Sequence, residues 1–128
     1  MIRLGDRPEA TLRRAGQPVE RTRTWRWCAG AGREDDTRRV VAGFTAGPQI
    51  GIVASTLRAH RAGPIRPGAP LRRLRRHAER LRPGLWVRRA GNRSSFVYRV
   101  RERRVREVGV AARAIARRPA VLRRHLVG

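Results

Sequence analysis

Ile65-Arg66-Pro67-Gly68, running on through Ala69-Pro70 into Leu71-Arg72-Arg73-Leu74-Arg75-Arg76-His77-Ala78-Glu79-Arg80-Leu81-Arg82, is the stretch on which the reading of this chain turns. Leu71, Leu74, Ala78 and Leu81 fall at i, i+3, i+7 and i+10, one stripe of a helix, and predict a helix over 70–81. Arg72, Arg73, Arg75, Arg76, Arg80 and Arg82 cover its remaining surface. A weaker copy, Ile2-Arg3-Leu4-Gly5, stands 63 residues earlier. It leads into a short helix over 8–15, with Pro8 at the first turn and Asp6 as N-cap, and closes with Gly16-Gln17-Pro18.

Outward from these two phrases the same order repeats. In the first half, 23–28 has the two-residue alternation of a half-buried strand carrying Trp25 and Trp27. A Gly-rich acidic loop over 29–37 follows, then strands over 38–44 and 50–55 with a turn at Gly47-Pro48 between them. In the second half, Pro83-Gly84 breaks the chain, and Leu85-Trp86-Val87-Arg88 is a strand. Ala90-Gly91-Asn92-Arg93 is a hairpin signal, because Gly and Asn tolerate positive φ. Phe96, Tyr98 and Val100 alternate in the next strand, 101–104 turns, and 105–111 completes the unit, its Val108-Gly109-Val110-Ala111 echoing Ile50-Gly51-Ile52-Val53. A matched order of elements is the signature of a repeat. Pro119 opens a terminal helix bearing Val121, Leu122, His125 and Leu126.

The expected fold is α+β: two tandem helix-β-β-β repeats forming one antiparallel sheet of about six strands, helices on one face, plus a C-terminal helix. The expected organisation is a single domain over 1–128, with a first repeat at 1–60, a second at 61–112 and the terminal helix at 113–128.

Ile2-Arg3-Leu4-Gly5, a short helix and then Gly16-Gln17-Pro18 resemble the opening of the SmpA/OmlA (BamE-like) lipoprotein domain. Two such units in tandem are similar in plan to the beta-lactamase inhibitor proteins. Gly5, Gly16 and Pro18 match in position; the second unit keeps Gly68 but has Glu79-Arg80-Leu81 where the Gly-x-Pro would stand. The resemblance implies a non-catalytic, extracytoplasmic scaffold of the cell envelope that binds another protein through its sheet. It transfers no binding residue.

Charge sets the partner class. The chain of 128 residues has 32 basic and 9 acidic residues, a net charge of +23, and all 32 basic residues are Arg. Such a field attracts nucleic acid, anionic lipid or an acidic envelope polymer. Arg suits phosphate and carboxylate through its two-pronged fork. A composition with no Lys and a single Asn, Asn92, also bears the stamp of a GC-rich genome. The lone Cys28 forbids an internal disulfide and leaves the redox compartment open. No apolar run is long enough to cross a bilayer as a helix. Met1 leads directly into the first unit, so an envelope protein would need a leader upstream of it.

Chemistry-bearing residues are scattered. His60, His77 and His125 have no second ligand at metal spacing. Ser94 and Ser95 read as hairpin residues, and Glu34-Asp35-Asp36 as a solvated loop among arginines. Gly30-Ala31-Gly32 lacks the following helix that a phosphate loop requires. The sequence therefore points to no enzyme, no cofactor and no metal. It points to a strongly basic interaction module binding a protein or an anionic envelope component, with Arg72, Arg73, Arg75, Arg76, Arg80 and Arg82 as the polyanion-binding residues. The alternative is a cytosolic nucleic-acid-binding protein making mainly backbone contacts. No aromatic residue interleaves with these arginines to stack on bases.

Overall fold

The computed structural model describes Arg7, Arg13, Glu20–Arg21, Thr24–Cys28, Arg39–Gly43 and residues 49–126, the backbone alone over 20–21 and 24–28. The first helix over 8–15 (Arg13 apart), the Gly16-Gln17-Pro18 signal, Phe44, the Gly30-Ala31-Gly32 segment and the acidic loop lie outside the described residues, as do the side chains of Trp25, Trp27 and Cys28.

Eight strands form one sheet: β1 (Glu20–Arg21), β2 (Thr24–Cys28), β3 (Arg39–Gly43), β4 (Ile52–Ser55), β5 (Glu79–Arg82), β6 (Leu85–Arg89), β7 (Ser94–Arg101) and β8 (Arg104–Ala112). Their order is β1-β2-β3-β4-β8-β7-β6-β5, and every neighbouring pair is antiparallel. The six strands expected from the sequence are β2, β3, β4, β6, β7 and β8; β1 and β5 are short additions at the two edges. Three helices are described: α1 (Leu71–Leu74), α2 (Arg113–Ala116) and α3 (Pro119–His125).

Alternation sorts the residues of each strand onto two faces, and each face has its own core. Leu85 and Val87 of β6 and Val97 of β7 join Ile52, the helix residues Ile115 and Leu122, and Leu126 just beyond α3. Trp86, Tyr98, Val105 and Val108, pointing the other way, join Ala62, Ile65, Ala69 and Leu74. The expectation of helices on one face is therefore corrected. α2 and α3 cover one face, and α1 with the long connection from β4 to β5 covers the other, because both faces of the central strands are apolar.

The helix over 70–81 is corrected as well. Only Leu71–Leu74 is α-helical; 75–77 is turn and Glu79–Arg82 is β5. Arg72 with Arg75 or Arg76, and Arg73 with Arg76, would sit three or four apart on a helix, where like charges repel. The helix also begins at Pro70 with no side-chain cap and no acidic residue in its first turn. Arg82-Pro83-Gly84-Leu85 meanwhile has the type II pattern, Pro at the second position and Gly84 at φ +78 at the third, which joins β5 to β6 as a hairpin. The supposed leucine stripe thus divides: Leu74 is fully buried and Leu71 and Ala78 pack beside it, whereas Leu81 packs on the opposite core.

The single terminal helix over 113–128 is two helices, α2 and α3, with the break at Arg117 and Arg118. Pro119 lies at the start of α3, where its missing N–H costs nothing, and it disfavours helical backbone at Arg118.

Candidate arginine cleft

The connection 56–70 is an elbow stitched to the sheet. β4 ends its pairing with β8 at Ser55 and Val108. Beyond that point the exposed margin of β8 is taken by the elbow: Gly68 N–H donates to Val105 C=O at 2.7 Å, Val105 N–H to Ala69 C=O at 2.9 Å, and Leu71 N–H to Arg103 C=O at 2.9 Å. Ile65 and Ala62 are buried beneath the elbow, and the Tyr98 hydroxyl donates to the Ala62 carbonyl at 2.8 Å. Burial pushes the Tyr98 phenol up to about 12 against the opposing field of Arg88, so it remains a donor at any physiological pH.

The elbow walls a cleft of about 560 Å³. Arg58, Arg61, Arg66, Arg73 and Arg104 line it together with Pro64, Pro67 and Pro70, and all five arginines are exposed. One is held in place and a second lies close by. Arg104 donates from Nη1 to the Gly68 carbonyl at 3.1 Å. Arg58 lies over Gly68, its Nε 3.4 Å from where a side chain there would begin, and Gly68 itself stands at φ +95, which favours glycine. A second, adjoining groove is lined by Pro70, Arg72, Arg73 and Arg76, so Arg73 is common to both.

No carboxylate lines either. Between residues 49 and 126 the acidic residues are Glu79, Glu102 and Glu107. Each is engaged elsewhere, by Arg117, Arg106 and Arg39 respectively. The cleft is therefore a concentration of positive charge with no internal counter-ion among the described residues, in a form that two-pronged guanidinium contacts to an oxyanion would satisfy.

The structure brings together three of the six residues picked from the sequence, Arg72, Arg73 and Arg76, and sets them beside Arg58, Arg61, Arg66 and Arg104. Arg75, Arg80 and Arg82 are exposed but line neither opening, and Arg80 and Arg82 belong to edge strand β5. Arg58, Arg61, Arg66 and Arg104 were missed because they stand on the connection and on β8, outside the leucine-spaced run. The Gly63-Pro64 and Pro67-Gly68 pairs, with Arg58, Arg61 and Arg66 around them, were the available signal of a folded loop.

His77 is exposed, on a turn rather than a helix. His125 is buried at the end of α3 against Gly43, where burial, with the Arg124 charge beside it, holds its imidazole below the usual range. Ser55 Oγ lies 2.7 Å from His60 Nδ1 and accepts from Leu57 N–H at 3.1 Å, a pair that ties the start of the connection. Among the described residues no carboxylate orients the His60 ring, and no group of three His, Cys, Asp or Glu stands close enough to hold a metal. No described helix is long and apolar enough to cross a membrane.

No family model matches the chain, and no curated protein does. Among solved structures it is similar to an extracellular protein containing a SCP domain from Bacillus anthracis str. Ames, with a TM-score of 0.50 at 10% identity over 91% of this chain. The chain spans 46% of that protein's length. At that identity the likeness concerns the fold alone.

Proposed function

We propose that this chain is a non-enzymatic, strongly basic binding module whose elbow face takes an anionic partner, either an anionic envelope component or a protein bearing acidic groups. The observation that carries the reading is the arginine cleft and its adjoining groove, which no described carboxylate neutralises. Attraction to a polyanion over such a surface is long-ranged and salt-dependent, with a screening length of about 8 Å near physiological ionic strength.

The tandem plan belongs to the same reading. What supports it is the matched order of the sequence together with the strand order. β2-β3-β4 and β6-β7-β8 run as two meanders that meet at the β4–β8 pair, and a short strand, β1 or β5, flanks each. On this plan the units are 1–60 and 61–112. An extracytoplasmic setting is supported by the BamE-like opening; the solved neighbour is itself described as extracellular. Fractionating cells of the native host tests the setting, and recovery with cytosolic proteins would contradict it.

Titrating short DNA duplexes of differing sequence at rising salt separates this reading from a cytosolic nucleic-acid-binding role. Binding that ignores sequence and vanishes by about 0.2 M salt is nonspecific attraction and supports the module. Binding that persists above that salt and prefers one sequence supports the alternative.

A further inference from the structure

We propose that the cleft is a seat for a compact multivalent phosphate group, a diphosphate or triphosphate, rather than a stretch of generally basic surface. The inference rests on the anion-binding reading above and sharpens it. Charge comes first. Five arginines line one opening, and a single phosphate carries about −1.5 to −2 at neutral pH, which leaves most of their charge uncompensated. Two or three linked phosphates match the count.

Size agrees. A space of about 560 Å³ exceeds what one phosphate fills and falls within the roughly 300–1,000 Å³ of small-ligand sites. Rigidity is the third argument. Pro64, Pro67 and Pro70 fix the backbone of the wall, and Arg104 is anchored through Nη1 on the Gly68 carbonyl. Less side-chain freedom is then lost when the ligand arrives than at a free surface arginine. The adjoining groove, reached through the shared Arg73, provides Arg72 and Arg76 for whatever extends beyond the phosphates.

The test is calorimetric titration of the full chain with sodium tripolyphosphate at about 0.15 M salt, where surface attraction is screened. Saturable binding of one molecule per chain is expected. It should weaken at least thirtyfold in the Arg61→Gln, Arg66→Gln double variant, both side chains being exposed and making no hydrogen bond among the described residues. The Arg123→Gln, Arg124→Gln control, equal in net charge but placed on α3, should change it less than threefold.

Should the cleft variant fold poorly, the unaltered chain gives a second measure. Tripolyphosphate should raise its melting temperature by several degrees more than sodium chloride of equal ionic strength. Inorganic phosphate binding as tightly as tripolyphosphate, equal losses in the two variants, or no saturation would each overturn the proposal. A nucleoside triphosphate distinguishes the sources: equal affinity admits phosphate-bearing larger molecules, and hundredfold weaker affinity restricts the seat to free oligophosphate; both uphold it. Absence of tripolyphosphate binding, with duplex DNA still released by neutralising Arg72, Arg73 and Arg76, would remove the cleft assignment and leave the broader reading intact.

Discussion

The two faces of the sheet are built from alternate residues of the same strands, yet they close in different ways. The α2–α3 face is sealed by hydrocarbon: Leu122 and Leu126 are almost fully buried over Ile52, Leu85 and Val97. Its deep charge among the described residues, Glu107, is completely buried and meets Arg39 of β3 at 3.3 Å, across the intervening β4. The elbow face is sealed by a thinner lid, in which Ala62, Ile65, Ala69 and Leu74 cover Tyr98 and Trp86 while the neighbouring arginines turn outward around an opening. On the first face a charge is buried and matched. On the second, charges are gathered and left unmatched, which is what a binding surface requires and a core cannot tolerate.

Substitutions should separate the faces, beginning with the lid. Leu74→Asp is expected to destabilise the fold by more than about 4 kcal/mol, since it loses a buried side chain and buries a carboxylate. Thermal or urea melting reads this, and a variant that melts like the parent would mean the elbow does not pack on the sheet. Glu107→Gln on the opposite face should cost about 3–5 kcal/mol, because Arg39 keeps a nearly buried charge whose partner is gone. Its anion binding, measured under conditions where it remains folded, should be unchanged.

Tyr98→Phe removes the shorter of two hydrogen bonds to the Ala62 carbonyl, which keeps Ile65 N–H at 3.3 Å, and should cost about 0.5–1.5 kcal/mol. Amide exchange should then quicken first in the elbow. The smallest effect concerns pH. The lowered His125 value means that the unfolded chain takes up the proton more readily, so this contribution is complete above about pH 6.5 and is lost as pH falls below it. His125→Gln should flatten that part of the stability curve, and an unaltered slope would show that the imidazole is not the titrating group.

Much of this architecture was legible in advance. The period of two in 24–28 and 94–101, and the short apolar runs bounded by turn signals in 39–43 and 85–89, mark strands. Leu81 was ambiguous for a physical reason. Its spacing from Leu74 suits a helix, but Pro83-Gly84 closes a hairpin, and the pairing of β5 with β6 prevails over a helix of repelling arginines. The second covered face was hidden in the long connection, whose buried Ala62, Ile65 and Ala69 show no regular period. The arginine run at 72–76 was visible, but the cleft was not. It exists only because backbone bonds from Gly68, Ala69 and Leu71 to β8 bring Arg104 beside Arg66 and Arg58, residues 38 and 46 positions apart from it in the chain.

The central claim, that position rather than total charge makes the elbow face the binding surface, is tested most directly by charge-matched variants. Arg72, Arg73 and Arg76 are replaced by Gln in one, and Arg118, Arg123 and Arg124 in the other, and the affinity of each for a short duplex is followed against salt. Each chain loses the same three charges. The elbow variant should lose about 2–3 from the slope of log K against log salt, at roughly 0.9 per phosphate contact on duplex DNA. The α3-side variant should keep the parent slope. Equal losses in the two would mean that the charge acts as an unlocalised field and that the elbow face is no distinct binding surface.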